Sequence, residues 1–299
     1  MPTISGVVKD ASNVFAQRLV RAYRRDTGAF VGQTLSDPST GAYSITATDT
    51  SEHFVLAHDT ADADPFWNQT VLACRFDGAD GATTFTDLKG KAFTRFGNAQ
   101  ISTAQSKFGG SSLYLDGNGD YLTTSSSSDF DLFGPATSST VEFWVRFSSL
   151  ANSPHIATFG TSEAYRLTIF AASGFLQLWT KTNSSNFATR IQTAALSVYT
   201  WYHVALVNVN GTFSLYLNGA LAGSAAVSIV PTGALPLIIG WQNYGGIAND
   251  YFNGYIDDLR ITKGVARYTA AFSPPAAAFS AAPVGGTDNA VILDRVVPV

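Results

Sequence analysis

Hydrolysis of a glycosidic bond needs two carboxylates facing one cleft, about 5–9 Å apart. Glu142 stands alone in Val141-Glu142-Phe143-Trp144-Val145. Asp257 and Asp258 are adjacent, so on a regular strand they point to opposite faces. Neither supplies the pair. His53, His58, His155 and His203 lie in strand-like or loop segments without a nucleophile motif, and no Ser-His-Asp set is evident. These residue types predict no enzyme. Recognition chemistry is better represented. Residues 240–252 are rich in aromatics, amides and glycine, and sugar binding needs flat rings beside planar hydrogen-bonding groups. Trp241, Asn243, Tyr244, Asn249 and Tyr251 are the candidate glycan ligands. The competing reading has Trp241 and Phe252 filling the core edge while Asn243 shapes a turn. Residues 181–187 form a weaker candidate loop.

The elements that must position these groups read as strands. Short β-rich runs alternate with Gly, Asn, Asp and Ser clusters, and 3.6-residue periodicity is weak throughout. Phe213–Leu217, then Asn218-Gly219, then Ala220-Leu221-Ala222 predicts a hairpin, because Asn-Gly suits a two-residue type I′ turn. Residues 1–67 hold about five strand candidates, thin for a closed sandwich. Residues 68–272 hold a longer series. Residues 273–284, rich in Pro and Ala, read as a stiff linker. The apolar runs within 285–299 read as strand that needs a partner. The expected organisation is a small β-sandwich from 1–67 together with 285–299, and a larger domain, 68–272, inserted in it. The alternative is that the C-terminal strand pairs with a neighbouring subunit.

Charged residues make up 13% of the chain and the formal net charge is −4, so the surface must be built mostly from small polar residues. No Lys/Arg stripe tracks phosphates, which disfavours nucleic acid. The one basic cluster, Arg18, Arg21, Arg24 and Arg25, splits between two strand faces and reads as a charged edge that resists edge-to-edge association. The single cysteine, Cys74, leaves no intrachain disulfide or Cys-rich zinc site and reads as a small core residue. No segment is long and apolar enough to predict a membrane span. The N-terminal residues lack a signal-peptide pattern. An extracellular-looking composition without an export signal fits a particle released by lysis.

Four ordered blocks carry a resemblance. They are Lys107-Phe108-Gly109-Gly110-Ser111-Ser112-Leu113-Tyr114-Leu115-Asp116-Gly117 with Gly119-Asp120-Tyr121-Leu122; Thr140-Val141-Glu142-Phe143-Trp144-Val145; Trp201-Tyr202-His203-Val204-Ala205-Leu206 leading to Leu215-Tyr216-Leu217-Asn218-Gly219; and Phe252-Asn253-Gly254-Tyr255-Ile256-Asp257-Asp258-Leu259-Arg260-Ile261 with Gly264-Val265-Ala266-Arg267-Tyr268. Together they resemble the laminin-G-like branch of the concanavalin A-like jelly rolls, in the version found in bacteriophage tail and other virion proteins. Ile4-Ser5-Gly6-Val7-Val8 and Asp37-Pro38-Ser39-Thr40-Gly41-Ala42-Tyr43-Ser44-Ile45 resemble, less specifically, a small transthyretin-like or carboxypeptidase-regulatory-like sandwich of the Ig type.

The resemblance implies an all-β, non-catalytic virion component: tail, fibre, neck or capsid decoration. Its partners would be other virion proteins, with homo-oligomerisation, and host-surface glycans. A free carbohydrate-binding lectin or adhesin is the alternative, and a glycoside hydrolase is the third reading. No cofactor is required. The resemblance also implies a possible structural calcium at the sandwich rim, with Asp116, Asp120 and Asp257 at positions that could converge; Asp-Gly turns equally use Asp for local backbone hydrogen bonds.

Overall fold

A computed structural model describes residues 2–8, 18–37, 39–47, 50–59, 63–160, 166–181, 187–227, 230–242, 250–279, 282–283 and 291–296. The chain forms two compact units, Met1–Asn68 with Ser280–Val299, and Gln69–Phe279. Both are built from strands.

The first unit contains β1 (Thr3–Val7), β2 (Arg18–Arg24), β3 (Phe30–Leu35), β4 (Ala42–Thr46), β5 (His53–Asp59) and β6 (Ala63–Asp64). The second contains β7 (Thr70–Cys74), β8 (Thr94–Phe96), β9 (Gln100–Ser102), β10 (Ser112–Asp116), β11 (Tyr121–Thr123), β12 (Ser138–Phe147), β13 (His155–Phe159), β14 (Arg166–Ala172), β15 (Phe175–Lys181), β16 (Phe187–Ala195), β17 (Trp201–Val209), β18 (Thr212–Leu217), β19 (Ala220–Ala226), β20 (Leu237–Ile239) and β21 (Asn253–Lys263). β22 (Ala282–Pro283) and β23 (Val291–Val296) return to the first unit, where β23 pairs antiparallel with β5. There the order β23-β5-β2-β3 makes one sheet and β1-β4 another. Alternate residues of both, among them Ile4, Ile45, Val20 and Val55, share one core.

The second unit is a jelly-roll sandwich. One sheet runs β19-β18-β17-β12-β21-β10-β9, with β7 also on β21; the other runs β16-β15-β14-β13-β20-β11-β8. Strand alternation explains the layering. Val141, Phe143, Val145 and Phe147 of β12 enter the core between the sheets, with Ile169, Leu178, Leu237 and Ile239 from the facing sheet. Cys74 joins that core, and burial pushes its thiol pKa far up. Asn218 and Gly219 take φ of 51° and 77°, the pair of positive values that the type I′ turn requires.

Two features depart from simple alternation. First, the outer face of the eight-stranded sheet is partly covered. The segment after β21 crosses it: Arg267 N–H donates to Thr140 Oγ1, Phe272 N–H donates to the Gly219 carbonyl, and Tyr268 and Phe272 pack over Ala205, Val207 and Tyr216. Phe279, in the stretch read as linker, is buried at its end, where the Arg75 guanidinium holds its carbonyl at 2.6 and 3.0 Å. Second, β21 carries a bulge. Arg260 pairs with Glu142 and Asp257 with Trp144, so Asp258 and Leu259 together oppose Phe143, and Asp258 sits at φ 47°. Ile256 and Leu259 both enter the core, with two residues between them rather than one. The bulge therefore corrects the expectation that Asp257 and Asp258 take opposite faces: both leave the core side.

Candidate functional site

Aromatic rings converge on Tyr121. Leu122 is fully buried in the core, so Tyr121 faces out from the seven-stranded sheet. Phe96 of β8 lies opposite Tyr121 in the register; their rings stack at 4.2 Å with 4° between planes, and Phe96 stays 39% exposed. After β20, Gly240 has φ 91°, and a Cβ there would collide with Leu115. Only glycine fits this turn, and it delivers Trp241 to 4.7 Å from Tyr121. Tyr251, just before β21, stacks on Trp241 at 5.7 Å and 12°. Two of the sequence-predicted ligands, Trp241 and Tyr251, are thus brought together. Asn243, Tyr244 and Asn249 lie outside the described residues, as does most of the 181–187 loop.

Phe96 and Tyr121 escaped the sequence reading. Tyr121 beside an apolar Leu122 carried the signal, but a partner three strands away in sequence is visible only through the register. The Trp241 indole Nε1 is buried and has no hydrogen-bond partner among the described residues. Polar groups flank the rings. Burial pushes the Asp250 carboxyl up and a Gln242 hydrogen bond draws it back. His155 stacks on Phe170 at 4.9 Å, and a hydrogen bond joins its Nδ1 to Thr168 Oγ1, 2.9 Å apart.

The three acids expected at a calcium site do other work. Asp120 accepts the backbone N–H groups of Asn98 and Asp116 at 2.6 and 3.0 Å, and burial raises its carboxyl pKa against those bonds. Asp116 closes its own turn by accepting from Asn118. Asp257 accepts from Lys107 and Phe108 at 2.7 and 3.1 Å, and burial pushes it to about 6. Asp116 pairs with Asn253, four residues along β21 from Asp257, a separation of about 13 Å at the strand rise. Among the described residues no three His, Cys, Asp or Glu side chains converge on one point. Calcium requires about six to eight oxygens, and this donor set does not fit it.

Glu142 is likewise occupied. Arg260 Nε and Nη2 meet its Oε1 at 2.9 and 2.8 Å, and the Tyr268 hydroxyl donates to Oε2 at 2.7 Å. His203 Nε2 stands 3.3 Å from Oε2. Burial opposes the charge, but Arg260, then His203, then Arg267 overcome it and hold the carboxyl at about 2. Such a group anchors the crossing segment. Tyr268 and Arg267, the last residues of the fourth sequence block, are therefore parts of the fold.

The two-sheet jelly roll is a lectin-like fold. A family profile of type Laminin_G_3 matches residues 116–267, and the chain belongs to this family of the concanavalin A-like lectin/glucanases superfamily. Among solved structures, it is similar to domain 4 of AbnA, a GH43 extracellular arabinanase from Geobacillus stearothermophilus, in complex with arabinotriose: TM-score 0.54, 20% identity, 66% of this chain and 94% of that chain. It is also similar to the receptor binding domain of botulinum neurotoxin D, with TM-score 0.51, 16% identity, and 68% and 51% of the two chains. A botulinum neurotoxin type C structure, whose cell entry depends on two ganglioside molecules, gives 0.51, 15%, and 66% and 48%. The chain spans about half the length of these neurotoxin chains. At such identities the likeness is one of fold. No curated protein matches the chain in sequence.

Proposed function

We propose that the Gln69–Phe279 unit is a carbohydrate-binding domain without catalytic activity, and that Trp241 with Tyr251, Tyr121 and Phe96 forms its glycan platform. The observation that carries this reading is the assembly of four outward rings, Phe96, Tyr121, Trp241 and Tyr251, on one face. C–H groups of a sugar ring stack on such aromatic faces. A fold neighbour solved with arabinotriose supports the reading.

The setting we propose is a bacteriophage particle, with this domain displayed by a tail, fibre, neck or decoration component that assembles with other virion proteins and with its own copies. The low charge fraction and the four-block resemblance support it. Mass spectrometry of purified particles tests the setting alone; absence from particles leaves a free lectin or adhesin. Calorimetry against neutral oligosaccharides, arabinotriose first, tests the platform. Trp241→Ala should weaken binding by about 2- to 10-fold, the equivalent of a ring interaction of ~0.5–1.5 kcal/mol. If neither Trp241→Ala nor Tyr251→Ala changes the affinity of a sugar that binds, the platform is wrong.

A further inference from the structure

The eight-stranded sheet presents a second set of rings, on the opposite side of the sandwich from Tyr121. Gln100 of β9 pairs with Tyr114 of β10, Tyr114 with Tyr255 of β21, Tyr255 with Arg146 of β12, and Arg146 with Trp201 of β17. Their neighbours Ile101, Leu113, Leu115, Ile256, Val145, Phe147 and Tyr202 all enter the core. Alternation therefore sends the row of five outward. At about 4.8 Å between strands the row is roughly 19 Å long. All five side chains are partly exposed, and Tyr199, 63% exposed, stands beside them. The Tyr114 and Tyr255 rings lie 5.0 Å apart.

Higher on this face, the segment after β21 covers Ala205 and Val207, and Lys107 lies 3.9 Å from the Trp144 ring. Among the described residues nothing comparable covers the row. Its cation is also exceptional. The Arg146 guanidinium lies 5.3 Å from the Tyr199 ring and 5.8 Å from the Tyr255 ring. Arg75, Arg95, Arg190, Arg260 and Arg267 each donate to an oxygen. Among the arginines of this unit with described side chains, Arg146 alone donates to nothing described. The rings fix its position and leave its N–H fork free. Asp116, two residues from Tyr114 on β10 and partly exposed, lies on the same outward face and brings a negative charge near the far end of the row.

We propose that this row is a second saccharide site, for an oligosaccharide that ends in one carboxylated sugar followed by neutral sugars. The carboxylate takes the Arg146 fork in a charge-assisted, two-bond contact. The neutral sugars stack along Tyr255 and Tyr114, and the Gln100 amide meets a hydroxyl. A glycan acidic at every sugar would set a carboxylate against Asp116. The site is independent of the Trp241 platform.

The full chain is titrated with 3′-sialyllactose, lactose and trigalacturonate. Sialyllactose should bind about ten-fold or more tighter than lactose. Arg146→Gln should abolish that preference and Arg146→Lys should restore only part of it, with melting temperatures little changed, since the side chain is partly exposed and its described contacts are the two tyrosine rings. Trp241→Ala should leave the preference intact, which separates this site from the platform. Equal binding of sialyllactose and lactose overturns the proposal, and so does tighter binding of trigalacturonate. A sedimentation shift that Tyr255→Ala removes, without sugar binding, overturns it too and makes the row a contact between copies of the chain.

Discussion

At the residue scale, the buried acids separate anchoring from recognition. Glu142 is held near a pKa of 2, so its ion pairs contribute fully above about pH 4.5 and are lost as pH falls through 2. Glu142→Gln leaves Arg260 without its counter-charge. Urea denaturation should show a loss on the order of 3–5 kcal/mol, while sugar affinity of the folded fraction stays unchanged. Asp258 shows the reverse sign. Burial, then the charge of Asp257, push its carboxyl to about 8. The folded state therefore favours the protonated acid, and this contribution is whole below about pH 4 and lost as pH rises through 8. Asn is neutral at every pH and tolerates φ near 47°. Asp258→Asn should raise the melting temperature at pH 8 and match the original chain at pH 4; an equal difference at both pH values would exclude the titration as its cause. None of this was readable from Asp257-Asp258 as a pair of letters, because burial belongs to the assembled sheet.

At the element scale, strands and tight turns were legible and their alignment was not. Short β-rich runs bounded by turn residues marked the strands of residues 68–272, and Asn218-Gly219 marked its hairpin. The bulge at Asp258 follows no local sequence signal; it is imposed where β21 must match β12 on one side and β10 and β7 in tandem on the other. Ring clusters stayed hidden for the same reason: Phe96 meets Tyr121, and Tyr114 meets Tyr255, only once registers are set. The last part of the crossing segment, residues 273–279, was read as linker, since small and proline-rich sequence resembles one until its few large residues find a sheet. Its dependence on the hairpin is testable. A Cβ on Gly219 would collide with the Phe272 carbonyl and place a side chain at φ 77°. Gly219→Ala should lower stability by at least ~1 kcal/mol and open residues 264–279 to protease. An unchanged digestion pattern would uncouple the turn from the segment.

At the scale of the whole molecule, each unit has a core of its own. Residues 69–279 produced alone should fold cooperatively and bind sugars as the full chain does; a molten product without near-ultraviolet dichroism would show that the larger unit depends on the smaller. The β-rich runs and the four-block resemblance placed the chain among the all-β jelly rolls, yet the sparse charge that suggested contacts with other molecules left Arg146 unnoticed. The parallel pairing of β22 with β6, Ala282 beside Ala63 and Pro283 beside Asp64, has a broader meaning. Both strands belong to the smaller unit, so the chain leaves that unit and re-enters it at neighbouring points. A body tethered in this way can be transplanted between surface loops of unrelated carriers at small entropic loss. Insert and carrier are then free to change independently of one another.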